Sequence, residues 1–594
     1  VVIALEAITD PVSLYEPVYS DNGDAPQLWW VNGYGEQPLY SCAVTLYDEN
    51  DACTDKNVQR IGLRTLTVSR EKDQWGEEFC FINNGVKIFA IGANYIPEDQ
   101  IVTRCDEAKT RKLLADCKAA NYNFIRVWGG GYYPDEYFYD YCDENGIIVW
   151  QDFMFACSAY LLTEEFEETV RGEVRDNVIR LRNHPSLGLW CGNNEIESAW
   201  EYWGLPEDEE AKRDYLIIFE EMIPQVLKAY DPCENTFYWP SSPSSGGGFK
   251  DASSNHAGDM HYWDVWHNFK PIEAFREFYY RFCSEYGFES LPDIKTCRAF
   301  ADETKGDFDL CSPVMEAHQK CVQGNEKIMY YLAQMVRYPY DFKQLIYSSQ
   351  LVQADCIRSN VEHMRRARGR CMGSAYWQVN DSNPVISWSS IDYFGRWKGL
   401  HYYAKRFYAP CLVSCDDSRR EKPVLNISNE RMTAFEGVVK WTLRNNKAEI
   451  LQRGEKSVNV PPLTAQNVLD IDLSQELVSR TDRREKYLEY SIMENGRVLS
   501  FGTTLFVRPK EFTFLEPKIT YGISESEDKF ALTFCAENYA KSVCLSLKTA
   551  DCVFSDNWFD IHGKEPVTIV IDKGSLSRKM TAQELSEELE IMHN

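Results

Sequence analysis

The segment FIRVWGGGYYPDEYFYDYCDENGIIVWQDF (124–153) decides the fold. It contains two short apolar runs, FIRVW (124–128) and GIIVWQDF (146–153), which are separated by an amphipathic stretch. Continuous apolar runs are typical of strands buried on both faces, and the stretch between them has the length of one helix. The segment therefore predicts a strand–helix–strand unit of a parallel sheet.

The same alternation extends from residue 73 to residue 415. Further apolar runs predict strands at 86–94, 187–195, 236–242, 258–263, 281–288 and 373–381. Helical stretches separate most of these runs, and a long one at 324–370 precedes the last. Eight strands alternating with helices predict a (β/α)8 TIM barrel.

Strand-rich segments on both sides of the barrel predict immunoglobulin-like β-sandwiches, because their apolar and polar residues alternate. In the first of these, PLYSCAVTLYDEN (38–50) and IGLRTLTVSR (61–70) predict strands, and the tail TAQELSEELEIMHN (581–594) predicts a short strand or a helix. We expect four domains: a complete or partial immunoglobulin-like β-sandwich at 1–72, the catalytic barrel at 73–415, a β-sandwich at 416–510 and a C-terminal β-sandwich at 511–594.

Composition limits the partners. The chain has 594 residues and a net charge of −28, which repels nucleic acid and anionic membrane surfaces. The 20 Cys lack the paired spacing of zinc sites, and the nine His form neither HxH nor HExxH, so we expect no metal and no cofactor. Unclustered Cys in so long a chain favour a reduced, cytoplasmic protein over a secreted one.

Two glutamates stand at the carboxyl ends of predicted strands. Glu195 ends the fourth strand in WCGNNE, and Glu285 lies near the end of the seventh in FCSEYGF. Active sites of TIM barrels lie at this end of the strands, and glycoside cleavage needs two carboxyl groups across the scissile bond. One such glutamate could be a buried structural residue, whereas two in one barrel predict a glycosidase. Asn194 adds an amide that can hydrogen-bond a sugar 2-hydroxyl.

Long blocks of the sequence resemble glycoside hydrolase family 2, in its β-mannosidase branch. These blocks include NHPSLGLWCGNNEIESAWEYWG (183–204), RFCSEYGFESLP (281–292) and the segment 376–414, besides 124–153. The resemblance covers most of 25–415. It implies a retaining exo-β-glycosidase that removes terminal non-reducing β-D-mannose from an oligosaccharide or glycoconjugate. Glu195 would be the acid/base and Glu285 the nucleophile, about 5–5.5 Å apart.

The resemblance also implies aromatic residues around the sugar. Trp128 and Trp203 resemble walls of the sugar pocket. Tyr262 is expected to be able to hydrogen-bond the nucleophile. Trp377 ends the eighth strand and is either a sugar platform or a core residue.

The resemblance also implies three polar site residues, and each of them has two possible roles. Arg126 is either a cation on the nucleophile's side or a structural cation, and a nearby Arg would keep a carboxylate ionised. Asp152 either hydrogen-bonds within the pocket or holds the barrel rim. His261 either supports the rim or contacts the substrate.

Two departures from the family pattern bear on the sugar. Ser382 and Asn383 stand where many relatives carry a bulkier pair, which leaves the substrate preference at the outer rim open. The Gly-Trp-Asp-Trp-Gly-Pro motif of the family's sugar-binding domain does not occur, so we expect that N-terminal domain to be absent from this chain.

Three alternatives stay open beside the β-mannosidase. The first is an exo-β-glucosaminidase or another family 2 β-glycosidase. The second, from another class, is a truncated, non-catalytic carbohydrate-binding fragment. The third is a metal-dependent hydrolase, which the scarcity of His disfavours.

Overall fold

The computed structural model describes residues 26–204, 208–233 and 236–594. The chain forms two compact units. The first comprises the chain up to Gly92, Asp106–Lys118 and Tyr122–His261. The second comprises Ala93–Cys105, Ala119–Asn121 and Tyr262–Asn594.

The first unit begins with short antiparallel strands and continues with alternating strands and helices. Its strands are β1 (Tyr40–Tyr47), β2 (Cys53–Ile61), β3 (Leu66–Ser69), β4 (Lys72–Asp73), β5 (Gly76–Glu77), β6 (Cys80–Asn83), β7 (Val86–Ile88), β8 (Ala90–Tyr95, whose second half belongs to the second unit), β9 (Phe124–Val127), β10 (Ile148–Asp152), β11 (Leu187–Cys191), β12 (Tyr238–Trp239) and β13 (Met260–His261). Its helices are α1 (Glu107–Ala119), α2 (Glu136–Asn145), α3 (Glu164–Leu181), α4 (Ile196–Tyr202), α5 (Glu209–Tyr215) and α6 (Ile223–Tyr230).

The barrel strands of this unit form a continuous set. Strands β12, β11, β10, β9 and β8 are neighbours in that order, and β9 to β12 pair in parallel. Every residue of β9, β10 and β11 is buried, which explains their continuously apolar runs. Because the strands are parallel, their carboxyl ends meet at one edge, where the residues after β10, β11 and β12 come together.

The predicted strand at 86–94 is in fact two strands. Val86–Ile88 pairs antiparallel with β6, whereas Ala90–Tyr95 is the first barrel strand. Between them the side-chain amide of Asn123 bonds the carbonyl of Phe89 and the N–H of Ile91. A side chain thus satisfies the backbone where the chain leaves one sheet for the other, and an apolar run alone does not reveal that step.

The predicted N-terminal sandwich is only partly described, because residues 1–25 lie outside the described residues. The expected strand at 38–50 is present as β1, but its partner is β2, with Tyr40 opposite Ile61. The expected strand at 61–70 is present as β3, which joins β6 and β7 in a different sheet. Strand β2 was missed because nearly all its residues are exposed, so it lacks the apolar alternation that marks a half-buried strand.

The glycine-rich loop 241–249 is held by three carboxylates. Glu197, Glu201 and Glu220 each accept a backbone N–H from this loop or the residues just after it, at 2.6–2.9 Å. Burial raises the pKa of Glu197 to about 7. The segment that looks featureless in the sequence is therefore anchored at the carboxyl end of β12.

The second unit contains the remaining barrel strands and the C-terminal domains. Its strands are β14 (Cys283–Glu285), β15 (Gly373–Tyr376), β16 (Cys411–Asp416), β17 (Val424–Asn429), β18 (Phe435–Asn445), β19 (Ile450–Val460), β20 (Thr464–Asp470), β21 (Lys486–Glu494), β22 (Arg497–Leu505), β23 (Thr520–Glu525), β24 (Lys529–Cys535), β25 (Tyr539–Leu547), β26 (Phe559–His562), β27 (Val567–Asp572) and β28 (Leu589–Met592). Its helices are α7 (Asp264–His267), α8 (Ile294–Cys297), α9 (Pro313–Ala317), α10 (Gly324–Met335), α11 (Phe342–Arg366), α12 (Gly399–Phe407), α13 (Arg480–Glu485) and α14 (Ala582–Glu588).

The helical stretch predicted at 324–370 is two helices, α10 and α11. Pro339 lies between them, where it cannot continue a helix. Asp341 then caps α11 by accepting the N–H of Gln344 at 2.8 Å. The tail, predicted as a strand or a helix, contains both, since α14 is followed directly by β28.

The C-terminal domains are antiparallel sandwiches. The first combines the sheets β16-β17-β20 and β19-β18-β21-β22, and the second combines β23-β24-β27 and β26-β25-β28. Cys411, Val413 and Cys415 alternate inward from β16 into the core of the first sandwich. Strand β16 crosses the boundary expected between 415 and 416, because its ladder partner is β17.

The predicted fold class, a (β/α)8 barrel accompanied by immunoglobulin-like β-sandwiches, is confirmed. All 20 Cys are free thiols in the structure. Within the described ranges, no helix combines the length and apolar character that a bilayer crossing requires.

Candidate active site

Glu195 is positioned by the ends of three neighbouring strands. Its own N–H donates to the carbonyl of Ser242, which follows β12, at 2.8 Å. The N–H of Asn194 donates to the carbonyl of Phe155, which follows β10, at 2.9 Å. Glu195 has a φ of 61°, and it precedes α4 directly. Left-handed backbone is uncommon for a residue with a Cβ and clusters at functional sites.

The two carboxylate oxygens of Glu195 have different partners. Oε1 lies 2.7 Å from Nδ1 of His261. Oε2 lies 3.5 Å from Sγ of Cys157 and 3.4 Å from Nδ2 of Asn194. Burial raises the pKa of Glu195, while the charge of Arg126 and the bonds from Cys157 and Asn194 oppose this shift. A raised pKa suits a group that must donate a proton.

Arg126 and Asp152 form a buried ion pair behind Glu195. The guanidinium lies 2.8 Å from Oδ2 of Asp152, and neither side chain is exposed. The same guanidinium nitrogen donates to Oδ1 of Asn194 at 2.7 Å, which turns the amide nitrogen of Asn194 toward Glu195. These contacts show Arg126 holding Asp152 and Asn194 in place, and its role as a cation on the nucleophile's side stays a prediction.

Both carboxylate oxygens of Asp152 accept hydrogen bonds from residues of the barrel rim. Besides Arg126, its oxygens accept the indole N–H of Trp150 at 2.8 Å and the backbone N–H of Gly129 at 3.0 Å. Burial raises the pKa of Asp152, and Arg126 lowers it. Of the two readings for Asp152, these contacts support the one in which it holds the rim.

We expect Arg126→Met to lower the free energy of unfolding by about 3–5 kcal/mol, because it leaves the buried Asp152 carboxylate without its cation. Urea titration followed by tryptophan fluorescence measures the change. Arg175→Met is the matched control, because Arg175 is exposed and pairs with exposed Asp176. Equal unfolding of the two variants would show that the buried pair contributes nothing to stability.

The predicted pocket tryptophans of the first unit differ in placement. Trp128 follows β9 and is half-buried, and its ring occupies the space a side chain at residue 130 would need, 2.0 Å from an ideal Cβ built on Gly130. Trp203 follows α4 and is 52% exposed. Trp128 therefore has a fixed ring near the strand ends, whereas Trp203 presents its ring to solvent.

Sequence reasoning missed three residues that the fold brings to Glu195. Cys157 contacts Oε2, and Ser242 and Asp259 continue the contacts of His261 away from Glu195. One signal was available, because Asp259 and His261 are two residues apart in the predicted strand 258–263 and would therefore share a face. No pattern in the sequence marks Cys157 or Ser242.

Glu285 lies at the carboxyl end of β14 in the second unit and is 3% exposed. Its backbone carbonyl accepts the N–H of Tyr262 at 2.8 Å, and the carbonyl of Ser284 accepts Nδ2 of Asn94 at 2.9 Å. Strand β14 pairs in parallel with β15, with Cys283 opposite Ser374. Glu195 and Glu285 belong to different units, and their separation of about 5–5.5 Å stays a prediction.

The predicted hydrogen bond from Tyr262 to the nucleophile is not made by its side chain. The buried hydroxyl of Tyr262 has no hydrogen-bond partner among the described residues. Its ring instead packs against Phe275, Phe278 and Tyr280, with centroids 4.9–5.8 Å apart. The contact of Tyr262 with Glu285 is through the backbone, because the aromatic cluster holds the side chain.

Trp377 follows β15 and is half-buried beside the continuation of β14. Its N–H donates to the carbonyl of Tyr286 at 2.8 Å, and it bridges Gly287 in parallel. A Cβ at Gly287 would lie 2.9 Å from the rings of both Trp263 and Trp388. Glycine at this position therefore allows two further tryptophans, which the sequence did not single out, to approach the strand that carries Glu285.

A cluster of metal-ligand type in the first unit is already satisfied by protein groups. It comprises Asp140, Asp143 and His184. His184 lies 2.6 Å from Asp143, which also accepts both donors of Ser186, and Arg60 pairs with Asp140. We interpret the cluster as an ion-pair network of the barrel wall.

Comparison with known proteins identifies the family. Residues 8–64 match the model for glycosyl hydrolases family 2, residues 422–511 match a mannosidase Ig/CBM-like domain, and residues 514–594 match an Ig-fold domain of mannosidases. The crystal structure of a β-D-mannosidase from Dictyoglomus thermophilum superposes with a TM-score of 0.87 at 31% identity, covering 96% of this chain and 68% of that one. An exo-chitosanase from Amycolatopsis orientalis, at 15% identity and a TM-score of 0.73, shares the fold.

Curated relatives agree with the structural match. β-Mannosidase B of Aspergillus terreus is 35% identical over 576 residues, which cover 92% of this chain and 67% of that protein. β-Mannosidase B of Aspergillus fumigatus is 36% identical over 438 residues, which cover 72% of this chain and 51% of that protein. The chain thus spans between half and two thirds of the length of these relatives. It belongs to glycosyl hydrolases family 2, in the β-mannosidase branch.

Proposed function

We propose that this chain carries the catalytic residues of a retaining exo-β-mannosidase. The observation that carries the proposal is the placement of Glu195 and Glu285, each at the carboxyl end of a barrel strand in a family 2 chain. Both residues are largely buried, and because burying an ionisable group costs free energy, buried carboxyl groups at strand ends are candidates for a functional site. The substrate would be a terminal β-D-mannose residue of an oligosaccharide or glycoconjugate.

The proposed reaction is a double displacement. A carboxylate oxygen of Glu285 attacks C1 of the mannose while the bond from C1 to the glycosidic oxygen breaks. Glu195 gives its proton to that departing oxygen, which leaves as an alcohol. In the second step Glu195 takes a proton from water, and the water oxygen displaces Glu285 from C1.

The surroundings of Glu195 support its part in this scheme. Burial raises the pKa of Glu195, which favours the protonated form that a proton donor needs, and the amide of Asn194 is oriented by Arg126 next to it. The relatives named as β-mannosidases support mannose as the sugar. No contact of the described residues favours glucosamine over mannose, so the exo-β-glucosaminidase enters as an outcome of the test.

A panel of aryl β-glycosides tests the sugar. We expect kcat/KM for the β-mannoside to exceed that for the glucosaminide, galactoside, glucoside and glucuronide by at least about tenfold, which corresponds to about 1.4 kcal/mol of transition-state binding. NMR of the first-formed sugar should show the β-anomer. Preference for the glucosaminide would replace mannosidase by exo-β-glucosaminidase. Absence of any hydrolysis would favour a carbohydrate-binding fragment.

A further inference from the structure

A chain of hydrogen bonds runs from Glu195 through His261 and Ser242 to Asp259 within the first unit. Nδ1 of His261 lies 2.7 Å from Oε1 of Glu195. Nε2 of the same ring lies 3.0 Å from Oγ of Ser242, and that hydroxyl lies 2.7 Å from Oδ2 of Asp259. Ser242 and Asp259 are fully buried, and His261 is 8% exposed.

The contacts of Asp259 determine which atom donates in each hydrogen bond of this chain. Its other oxygen, Oδ1, accepts the indole N–H of Trp239 at 2.8 Å and the backbone N–H of Ser244 at 3.0 Å. Two N–H donors therefore face this carboxylate, which as an anion can only accept. The single hydroxyl hydrogen of Ser242 consequently points to Oδ2 of Asp259, because charge-assisted bonds are the stronger ones.

The tautomer of His261 follows from the orientation of Ser242. Since the hydroxyl hydrogen is used on Asp259, Oγ of Ser242 can only accept at Nε2, so Nε2 carries the ring proton. Nδ1 of the neutral ring then presents a lone pair to Oε1 of Glu195. A neutral ring with its hydrogen on Nε2 has none on Nδ1, so in that form the proton in the 2.7 Å contact belongs to the carboxyl group of Glu195.

We propose that Ser242 and Asp259 are positioning residues that hold His261 in its Nε2–H form, so that Nδ1 accepts the carboxyl proton of Glu195 and keeps Glu195 ready as the proton donor. This inference rests on the proposed function of Glu195 as acid/base. When the glycosidic bond breaks, the carboxyl group of Glu195 gives up its hydrogen bond to Nδ1 and donates this proton to the departing glycosidic oxygen. The carboxylate left behind faces the lone pair of Nδ1. Repulsion between the two raises the proton affinity of Glu195, which then takes a proton from water in the second step.

The variant Asp259→Asn should exchange donor and acceptor in each hydrogen bond of this chain, while the side chains keep their positions. The new amide must keep its oxygen toward Trp239 and Ser244, because both are donors, and its NH2 group then faces Ser242. Ser242 would accept from that group and donate its own hydrogen to Nε2 of His261. The ring would carry its proton on Nδ1 and stabilise the carboxylate form of Glu195.

NMR of the histidine ring nitrogens tests the tautomer directly on the unliganded chain. Two histidines of the second unit serve as references in the same spectrum: Nε2 of His363 faces the carbonyl of Phe278 at 2.7 Å, and Nδ1 of His318 faces that of Pro384 at 2.7 Å. We expect His261 to show the Nε2–H pattern in the wild type and the Nδ1–H pattern in Asp259→Asn. The signal is assigned with His261→Asn.

Kinetics give the second readout. Asp259→Asn should lower kcat/KM by about 100-fold or more for an aryl β-mannoside with a poor leaving group, and by less than about fivefold for a dinitrophenyl β-mannoside, whose departure needs little proton donation. Asp176→Asn is the matched control, because Asp176 is exposed and pairs with Arg175. If Asp259→Asn does not fold, Ser242→Ala should replace the single tautomer by a mixture.

The outcomes separate the two proposals. A wild-type His261 that is doubly protonated or in the Nδ1–H form, or a tautomer unchanged in both Asp259→Asn and Ser242→Ala, overturns the positioning role. An equal loss of rate for both leaving groups also overturns it, since that pattern indicates general damage to the site. If the expected tautomers are observed but the wild type hydrolyses no aryl glycoside, the hydrogen-bond chain stands and the enzymatic function fails.

Discussion

Glu285→Gln is expected to lower kcat/KM for 4-nitrophenyl β-D-mannoside by about 10⁴-fold or more. Glutamine has nearly the same shape as glutamate, so the buried end of β14 should keep its structure. Its neutral amide does not attack C1, so no glycosyl-enzyme forms. Steady-state hydrolysis measures the loss, and the unfolding midpoint confirms that the variant is folded.

Azide distinguishes a missing nucleophile from a damaged pocket. In Glu285→Ala, azide can attack C1 from the vacated side and give the α-mannosyl azide, with inverted configuration. Glu277→Gln is the matched control, because Glu277 is an exposed glutamate close to β14 in sequence. Activity of Glu285→Gln near that of Glu277→Gln would remove Glu285 from the mechanism.

Glu195→Gln is expected to have an effect that depends on the leaving group. For an aryl β-mannoside with a poor leaving group, loss of the proton donor should lower kcat/KM by about 10²–10⁴-fold. For dinitrophenyl β-mannoside the first step should be nearly unaffected, because the departing phenolate needs no proton. The glycosyl-enzyme should then accumulate, since no base is left to activate water, and a burst of dinitrophenol measures it.

With a Glu195 variant, azide should give a product of the opposite anomeric configuration to that expected from Glu285→Ala. In Glu195→Ala, azide should accelerate turnover of the dinitrophenyl substrate by attacking the glycosyl-enzyme, and the product should be the β-mannosyl azide. Glu164→Gln is the control, because Glu164 lies exposed in the first turn of α3. A uniform rate loss for all leaving groups in Glu195→Gln would exclude the acid/base role.

The barrel strands could be read from the sequence because of how they are buried. A strand covered on both faces must be continuously apolar, and FIRVW (124–128) and GIIVWQDF (146–153) follow that rule over β9 and β10. Strand β2 could not be read, because its side chains are exposed and no burial pattern marks it. Val86–Ile88 and Ala90–Tyr95 looked like one strand, because the change of sheet between them is made by a side chain of Asn123, 32 residues after Ile91.

The candidate site, too, has a part that the sequence predicts and a part that only the structure reveals. The sequence by itself determined that Glu195 and Glu285 stand at strand ends, since each lies at the end of an apolar run that predicts a barrel strand. Tertiary structure alone decided what surrounds them. The hydroxyl of Tyr262 is held by a ring cluster where no described residue hydrogen-bonds it, and His261 contacts Ser242 and, through it, Asp259. Hydrogen bonds have strict distances and directions, so partners far apart in sequence are known only once the fold brings them together.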